Sequence, residues 1–239
     1  MVRRLIFIHG WASFPEIWRG QKEYFSKYYE VILPDISGAR DIKEAAELVN
    51  NFIKDRKDFV LIGWSLGWLA ILELLKSLLY EAEPRMLPKG LVAINSTPRF
   101  IDDGYLGAGP AKGHLAKMMR DCKRNPQEVF EDFYKSLLSD IGKTMLSSIK
   151  LKDSDYDKLI YGLYILRDCD YRDFLKEIHI PTLLISGAND TICPQEATAY
   201  MRKRIEGSQL KILNSGHIPF VERAEEFNSL VEDFVKGLQ

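Results

Sequence analysis

Neither sign of charge prevails in this chain: 33 lysines and arginines face 34 aspartates and glutamates, for a formal net charge of −1. So even a balance gives no long-range field for gripping nucleic acid or an anionic membrane, and any electrostatic recognition has to be local. Cysteine is scarce as well. Cys122, Cys169 and Cys193 are odd in number and lack metal-ligand spacing, which argues against a disulfide framework and for reduced thiols in a cytoplasmic setting. No apolar run approaches the ~20 residues of a membrane span. The run after Arg3 and Arg4 is too short for a signal peptide and ends in His9-Gly10 without a small-residue cleavage site. Internal repeats and low-complexity tracts are missing too. What the chain does have is 239 residues with 46% apolar content, enough for one large core or a core with an insertion.

Six short apolar runs bounded by turn residues, Leu5 to His9, Val31 to Pro34, Phe59 to Gly63, Gly90 to Asn95, Thr182 to Ser186 and Gln209 to Leu213, alternate with helical patterns. Their hydrophobicity is continuous, as for strands buried on both faces of a parallel sheet. A doubly wound α/β architecture follows, with a mostly parallel sheet of about six strands and helices on both faces. Between Ile94 and Pro181 the alternation gives way to helical patterns at Lys112 to Arg124, Pro126 to Leu138, Ile141 to Ile149 and Tyr156 to Arg167. The expected organisation is a core of residues 1–98 and 176–239, with residues 99–175 inserted as a helical lid over the sheet's carboxyl edge.

The most informative segment is Gly63-Trp64-Ser65-Leu66-Gly67, set between the strand pattern Phe59-Val60-Leu61-Ile62 and the apolar helix pattern from Trp68 to Leu75. A strand reversing into a helix within one turn crowds its neighbours, so a Cβ at either flanking glycine would collide, and the apical serine is held in a strained conformation. The bland alternative is a tight turn in a packed domain. A serine hydroxyl is a poor nucleophile until a histidine, itself oriented by a carboxylate, takes its proton.

Both partners are available. Asp190 follows the run ending at Ser186, and His217 follows the run ending at Leu213, so each falls on a loop past a strand's carboxyl end, where sites of open α/β sheets collect. Asp190 could instead cap the helix near Pro194, and His217 could be a satisfied turn residue. The other histidines are worse placed: His9 ends the first strand, His114 lies in the insertion and His179 precedes a strand. An acyl-transfer site also needs oxyanion donors, and the backbone N–H groups of Leu66, after the serine, and Trp11, after His9-Gly10, hold the matching positions.

With Ser65, Asp190 and His217 in that chain order, the sequence resembles the α/β-hydrolase superfamily, and within it the pimeloyl-[acyl-carrier protein] methyl ester esterases. The residues that carry this likeness are His9-Gly10-Trp11, the Ser65 pentapeptide, Asn95-Ser96-Thr97-Pro98-Arg99-Phe100, Gly162 to Asp170 with Ile180-Pro181, and Gly216-His217-Ile218-Pro219-Phe220. The resemblance implies an α/β-hydrolase fold with a helical lid and a serine esterase that needs no metal or organic cofactor. It implies hydrolysis of the methyl ester of a pimeloyl chain on acyl carrier protein, in biotin synthesis. Ser65 would be the nucleophile, His217 the general base, Asp190 its orienting acid, and Trp11 and Leu66 the oxyanion donors. Substrate contacts would come from Trp11, Ser65, Leu66 and His217, and from a lid stretch mapped onto Phe133-Tyr134-Lys135-Ser136-Leu137, with Phe133 and Leu137 facing the acyl chain. Aromatic residues at helical spacing such as Phe130, Phe133 and Tyr134 are more often simply lid core.

Family lids also offer basic residues to the acidic carrier. Lys117, Arg120 and Arg124 share a helix face beside Lys123, although Asp121 is interleaved and solvated charge explains them as well. The partner expected is an ester, carrier-linked or small, with no nucleic acid or membrane, and the protein is expected to be a monomer. Two departures from the family stand out. The chain opens on the strand that usually comes third, so the initial antiparallel hairpin is expected to be missing. In addition, the loop Asp35-Ile36-Ser37-Gly38-Ala39-Arg40 stands where the superfamily often has a glycine-rich turn and Trp68 replaces a commonly small residue, changes expected to narrow or reshape the pocket beside Ser65. A general carboxylesterase or carbon–carbon bond hydrolase with the same triad, and a binding protein on the same scaffold, are the rival functions.

Overall fold

The computed structural model describes residues 1–53, 57–80, 87–102, 104, 112–137 and 155–238. Six strands, β1 (Arg4–Ile8), β2 (Glu30–Ile32), β3 (Phe59–Trp64), β4 (Gly90–Ile94), β5 (Thr182–Gly187) and β6 (Gln209–Leu213), form one sheet in the order β2-β1-β3-β4-β5-β6. Every pairing is parallel. All residues of β3, β4 and β5 are buried, whereas the edge strands β2 and β6 are largely exposed or half-buried. This is the pattern that continuous apolar runs foretell when helices cover both faces.

The helices are α1 (Arg19–Phe25), α2 (Ile42–Asn50), α3 (Leu66–Tyr80), α4 (Lys112–Arg124), α5 (Pro126–Leu137), α6 (Tyr156–Asp168), α7 (Gln195–Arg202), α8 (Pro219–Glu222) and α9 (Ala224–Lys236). On one face, Phe7 of β1 meets Trp18 and Phe25 at ring separations of 5.2 and 5.8 Å. There α1 also bonds to α9, with Gln21 Nε2 donating to Asn228 Oδ1 at 3.3 Å and Tyr24 Oη to Glu232 at 2.9 Å. The helices α2 and α3 pack together, and Ile71 of α3 lies against Gly63 of β3.

Strand order reverses about β1: the chain moves outward to β2, then returns across β1 to β3. Ligand crevices of open α/β sheets form at such a switch point, beyond the carboxyl ends of the strands. The register sets Ile8 beside Gly63, Trp64 beside Ile94, Ile94 beside Ile185 and Gly187 beside Leu213. The loops after β1, β3, β4, β5 and β6 therefore leave from one edge.

Over that edge lie α4, α5 and α6. The Trp11 indole N–H donates to the Leu159 carbonyl of α6 at 2.8 Å, and Tyr134 Oη of α5 donates to the Ala12 carbonyl at 3.0 Å. Phe130 and Tyr134 are buried, while Phe133 sets its ring edge against Trp11 at 4.6 Å. The helical pattern at 141–149 lies outside the described residues. Among the described residues no helix is long and apolar enough to cross a membrane.

All three cysteines are free and buried. Burial disfavours the thiolate, pushing Cys122 up to about 11, Cys169 up to about 12 and Cys193 well above the ordinary thiol value. At about pH 8 an exposed thiol is roughly a quarter ionised, whereas one of pKa near 11 is ionised about once in a thousand molecules. The folded protein should therefore leave an aromatic disulfide reagent unconsumed at that pH, and three thiols should titrate once denaturant is added. Rapid labelling of the native chain would contradict this packing.

Candidate active site

Ser65 stands between β3 and α3 with φ of 53°, in the left-handed region that a residue with a Cβ enters only under constraint. The constraint comes from both sides of the turn. Ser65 N–H donates to the Ile94 carbonyl at 3.0 Å, and the Ser65 carbonyl accepts from Trp68 N–H at 3.0 Å. A Cβ on Gly63 would lie 2.8 Å from Trp68 N, and one on Gly67 would lie 2.4 Å from the Ile8 carbonyl oxygen, so neither position admits a side chain. The serine is 9% exposed.

Asp190 does not cap a helix. The first turn of α7 begins at Gln195 with Pro194 before it and no side-chain cap. Instead Asp190 Oδ1 accepts from the Ile192 and Cys193 N–H groups at 2.8 and 3.1 Å, and Oδ2 accepts from His217 Nδ1 at 2.7 Å. The two side chains are 1% (His217) and 0% (Asp190) exposed. With Nδ1 donating to the carboxylate, the lone pair of the neutral ring is on Nε2. That atom is buried and has no hydrogen-bond partner among the described residues. Ser65 Oγ accordingly makes no hydrogen bond to it: the structure forms the Asp190–His217 pair and leaves the serine unjoined to the ring.

Trp64, the neighbour of Ser65, has a part that sequence reading missed. Its indole N–H donates to the His217 carbonyl at 2.9 Å, its ring centroid lies 5.4 Å from the imidazole, and its other side meets Phe220 at 5.3 Å. The pentapeptide therefore holds the histidine's backbone as well as presenting the serine. Nothing in the local sequence marks a tryptophan as a donor to a residue 153 positions away.

Of the remaining histidines, His9 and His179 lie elsewhere, and His114 borders the cavity beside Ser65. His9 is buried, its Nδ1 donating to the Gly10 carbonyl at 2.9 Å while Nε2 accepts from Ile36 N–H at 3.1 Å. His114 and His179 are exposed. The N–H groups of Trp11 and Leu66 donate to no backbone carbonyl outside regular elements among the described residues.

Beside Ser65 opens a chamber of about 780 Å³ lined by Trp11, Phe100, Met118, Phe133, Leu166 and Ile192 among others. Phe133 thus faces the chamber. Leu137 is buried and lines a neighbouring cavity of about 470 Å³ that reaches His217, Asn214 and Glu222. Trp68 corrects an expectation: it is fully buried and lines no part of the chamber, because its helix turns that position inward to the core. At the rim His114, Lys117, Asp121 and Asp132 are present. Lys117 Nζ donates to Asp121 at 2.7 Å and holds that carboxylate below its ordinary range.

A model of the alpha/beta hydrolase family matches residues 5–230. The chain belongs to that family. The hydrolase is 29% identical over 248 residues to a pimeloyl-[acyl-carrier protein] methyl ester esterase of Legionella pneumophila strain Corby, covering 97% of this chain and 95% of the relative. A protein of the same name from Wigglesworthia glossinidia brevipalpis is 28% identical, with 97% and 93% covered. Among solved structures, an esterase from Exiguobacterium antarcticum superposes with a TM-score of 0.86 at 24% identity, covering 98% of the hydrolase and 92% of that chain. The last likeness is one of fold.

Replacing Trp64 by Phe keeps an aromatic ring against His217 but leaves the His217 carbonyl without its donor. An orphaned buried acceptor costs about 1–3 kcal/mol, and the smaller ring adds a packing loss. Denaturant unfolding should register a loss of at least that size, and a variant as stable as the parent would show that the bond contributes nothing.

Proposed function

We propose that this hydrolase is a carboxylic ester hydrolase that cleaves the methyl ester of a pimeloyl chain carried on acyl carrier protein. The observation that carries the chemistry is the buried pair at 2.7 Å, His217 Nδ1 on Asp190 Oδ2, with Nε2 left unclaimed. The substrate rests on the names of the relatives and on a chamber whose lining includes the apolar side chains of Trp11, Phe100, Met118, Phe133, Leu166 and Ile192. In this reading Ser65 Oγ attacks the ester carbonyl as His217 Nε2 takes its proton. Asp190 steadies the imidazolium that forms. The Leu66 N–H, at the positive end of α3, and the Trp11 N–H bind the oxyanion. Collapse of the tetrahedral intermediate expels methanol, which receives the proton from His217. Water then attacks the acyl-enzyme by the same route and frees Ser65. The described helices of the 99–175 insertion, α4, α5 and α6, act as the lid that shapes the acyl site, with Phe133 against the chain.

A second reading, a carboxylesterase for small free esters, is favoured by the rim. Lys117 is already paired with Asp121, and Lys135 with Asp132 at 3.0 Å, which leaves less free positive charge for an acidic carrier. Growth of a biotin-requiring strain that lacks its own esterase separates the two: rescue by the wild-type gene supports the carrier-bound substrate, and failure beside good turnover of a chromogenic ester supports the second.

Ser65→Ala should lower kcat for a chromogenic short-chain ester by at least about a thousandfold with little change in KM. The rate should also fall on acidification, because imidazolium cannot accept the serine proton. A Ser65-dependent rate that stays flat into acid would remove His217 from the role of base. Reversing the charges of Lys117, Arg120 and Arg124 together should raise KM for the carrier-bound ester several-fold and leave KM for a small ester alone. Equal effects on both substrates would tell against carrier docking on this helix.

A further inference from the structure

Asn95 follows β4 with φ of 42° and is 0% exposed. The left-handed conformation is one that asparagine tolerates better than most residues, and here it aims the side chain across the carboxyl edge of the sheet. The orientation of the amide is fixed by its partners. Gly187 N–H can only donate and faces Asn95 Oδ1 at 2.6 Å, while the Gly216 carbonyl can only accept and faces Nδ2 at 2.8 Å. Gly187 ends β5, on the segment that leads to Asp190, and Gly216 immediately precedes His217. The backbone here makes a third connection. The Ile94 carbonyl accepts from Ser65 N–H at 3.0 Å, and Asn95 N–H donates to the Ile185 carbonyl at 2.9 Å.

The two outer loops are also joined to each other, by Ala188 N–H to the Leu213 carbonyl at 2.8 Å and Asn189 N–H to the Ser215 carbonyl at 2.9 Å. They are so close at Gly187 that a Cβ there would lie 2.1 Å from the Gly216 oxygen. Those contacts tie the loops pairwise. Asn95 ties both of them to the strand that holds the backbone of Ser65. His217 is consequently gripped at two successive carbonyls, that of Gly216 by the Asn95 amide and its own by the Trp64 indole.

We propose that Asn95 is a positioning residue for hydrolysis: its side-chain amide sets the distance of the Asp190 and His217 loops from each other and from Ser65. The proposal rests on the reading of those three residues as the catalytic triad. Asn95 itself lies outside the chamber and touches no substrate. Loss of the amide therefore reduces kcat and leaves KM where it was, since misplacement of a reacting group by about 1 Å lowers rates by roughly a hundredfold.

Two variants of the full chain separate the amide from the backbone. Asn95→Gly suits a positive φ better than asparagine does, so it keeps the turn and removes only the side chain. Asn95→Asp keeps an oxygen for Gly187 N–H but sets a second oxygen against the Gly216 carbonyl until that carboxyl is protonated and can donate. With a chromogenic short-chain ester, Asn95→Gly should lose roughly 10- to 100-fold in kcat at unchanged KM. Asn95→Asp should be similarly poor at neutral pH and should recover relative to wild type as the pH is lowered. The low-field proton resonance of His217 Nδ1–H, read by NMR, should shift or broaden in Asn95→Gly.

Wild-type kcat in Asn95→Gly would mean that the residue is there for its φ alone, and an Asn95→Asp profile parallel to that of wild type would equally overturn the strut. If Asn95→Asp does not fold, Asn95→Gly carries the test. Full activity in Ser65→Ala would remove the triad reading instead. The His217 resonance would then still decide on Asn95, an unchanged signal in Asn95→Gly overturning the proposal.

Discussion

A carboxylate withdrawn from water is tolerated only where its oxygens are claimed by donors, and the arrangement around Asp190 follows from that constraint. Its side chain is 0% exposed. The cost of desolvating such an ion is several kcal/mol unless hydrogen bonds replace the lost water. Two backbone N–H groups take one oxygen and the imidazole takes the other. The same donation decides the histidine's tautomer, because a ring nitrogen committed as donor leaves the lone pair on the opposite atom. A structural requirement of one residue thereby sets the chemical capacity of another.

Parallel strands bring the pieces to one edge, but only coarsely. Register places the ends of β3, β4, β5 and β6 side by side, yet a loop of several residues leaves each end, with freedom far beyond the tolerance of a proton transfer. Side chains absorb that freedom. The indole of Trp64 and the amide of Asn95 each stand at a strand's end and reach the residues at the head of the His217 loop. Both are buried, so the bonds do not compete with water and a broken one leaves an unsatisfied group in a dry place. The strained φ of Ser65 belongs to the same logic, since the closely packed Gly67 and the bond to Ile94 leave that residue no alternative path.

The fold was legible because continuous apolar runs mean strands, and all six runs became strands with ends shifted by no more than two residues, although only the inner ones are buried on both faces and the edge strands β2 and β6 are not. The helices α4, α5 and α6 were legible from period alone. Ser65, Asp190 and His217 could be picked out as candidates because each sits just past a strand, a relation that sequence displays directly, and the structure joins two of them, Asp190 and His217. Contacts at long separation are what it does not display. Asn95 looked like a family marker and Trp64 like a neighbour of the serine, since a donor 121 or 153 positions from its acceptor leaves no periodic trace. Trp68 misled for a related reason: the face of α3 it occupies is decided by how the helix leaves the turn, and that direction is a tertiary property.

The chamber and the rim can be weighed against the reaction proposed for them. A methyl ester is neutral and enters an apolar lining at no electrostatic cost, whereas the acid left after hydrolysis is charged and does not. Under the proposed reading that carboxylate forms beside the Trp11 and Leu66 N–H groups, and withdrawing it further among the rings of Trp11, Phe100 and Phe133 is unfavourable by the same desolvation that Asp190 itself escapes through its three donors. Under the proposed reading, then, the lining that admits the substrate also expels the product. Trapping by product is strongest where a site binds ester and acid alike, and apolar side chains along the wall disfavour the acid. The pairing of Lys117 with Asp121 at the rim works in the same direction, because a cation already engaged attracts the departing acid less.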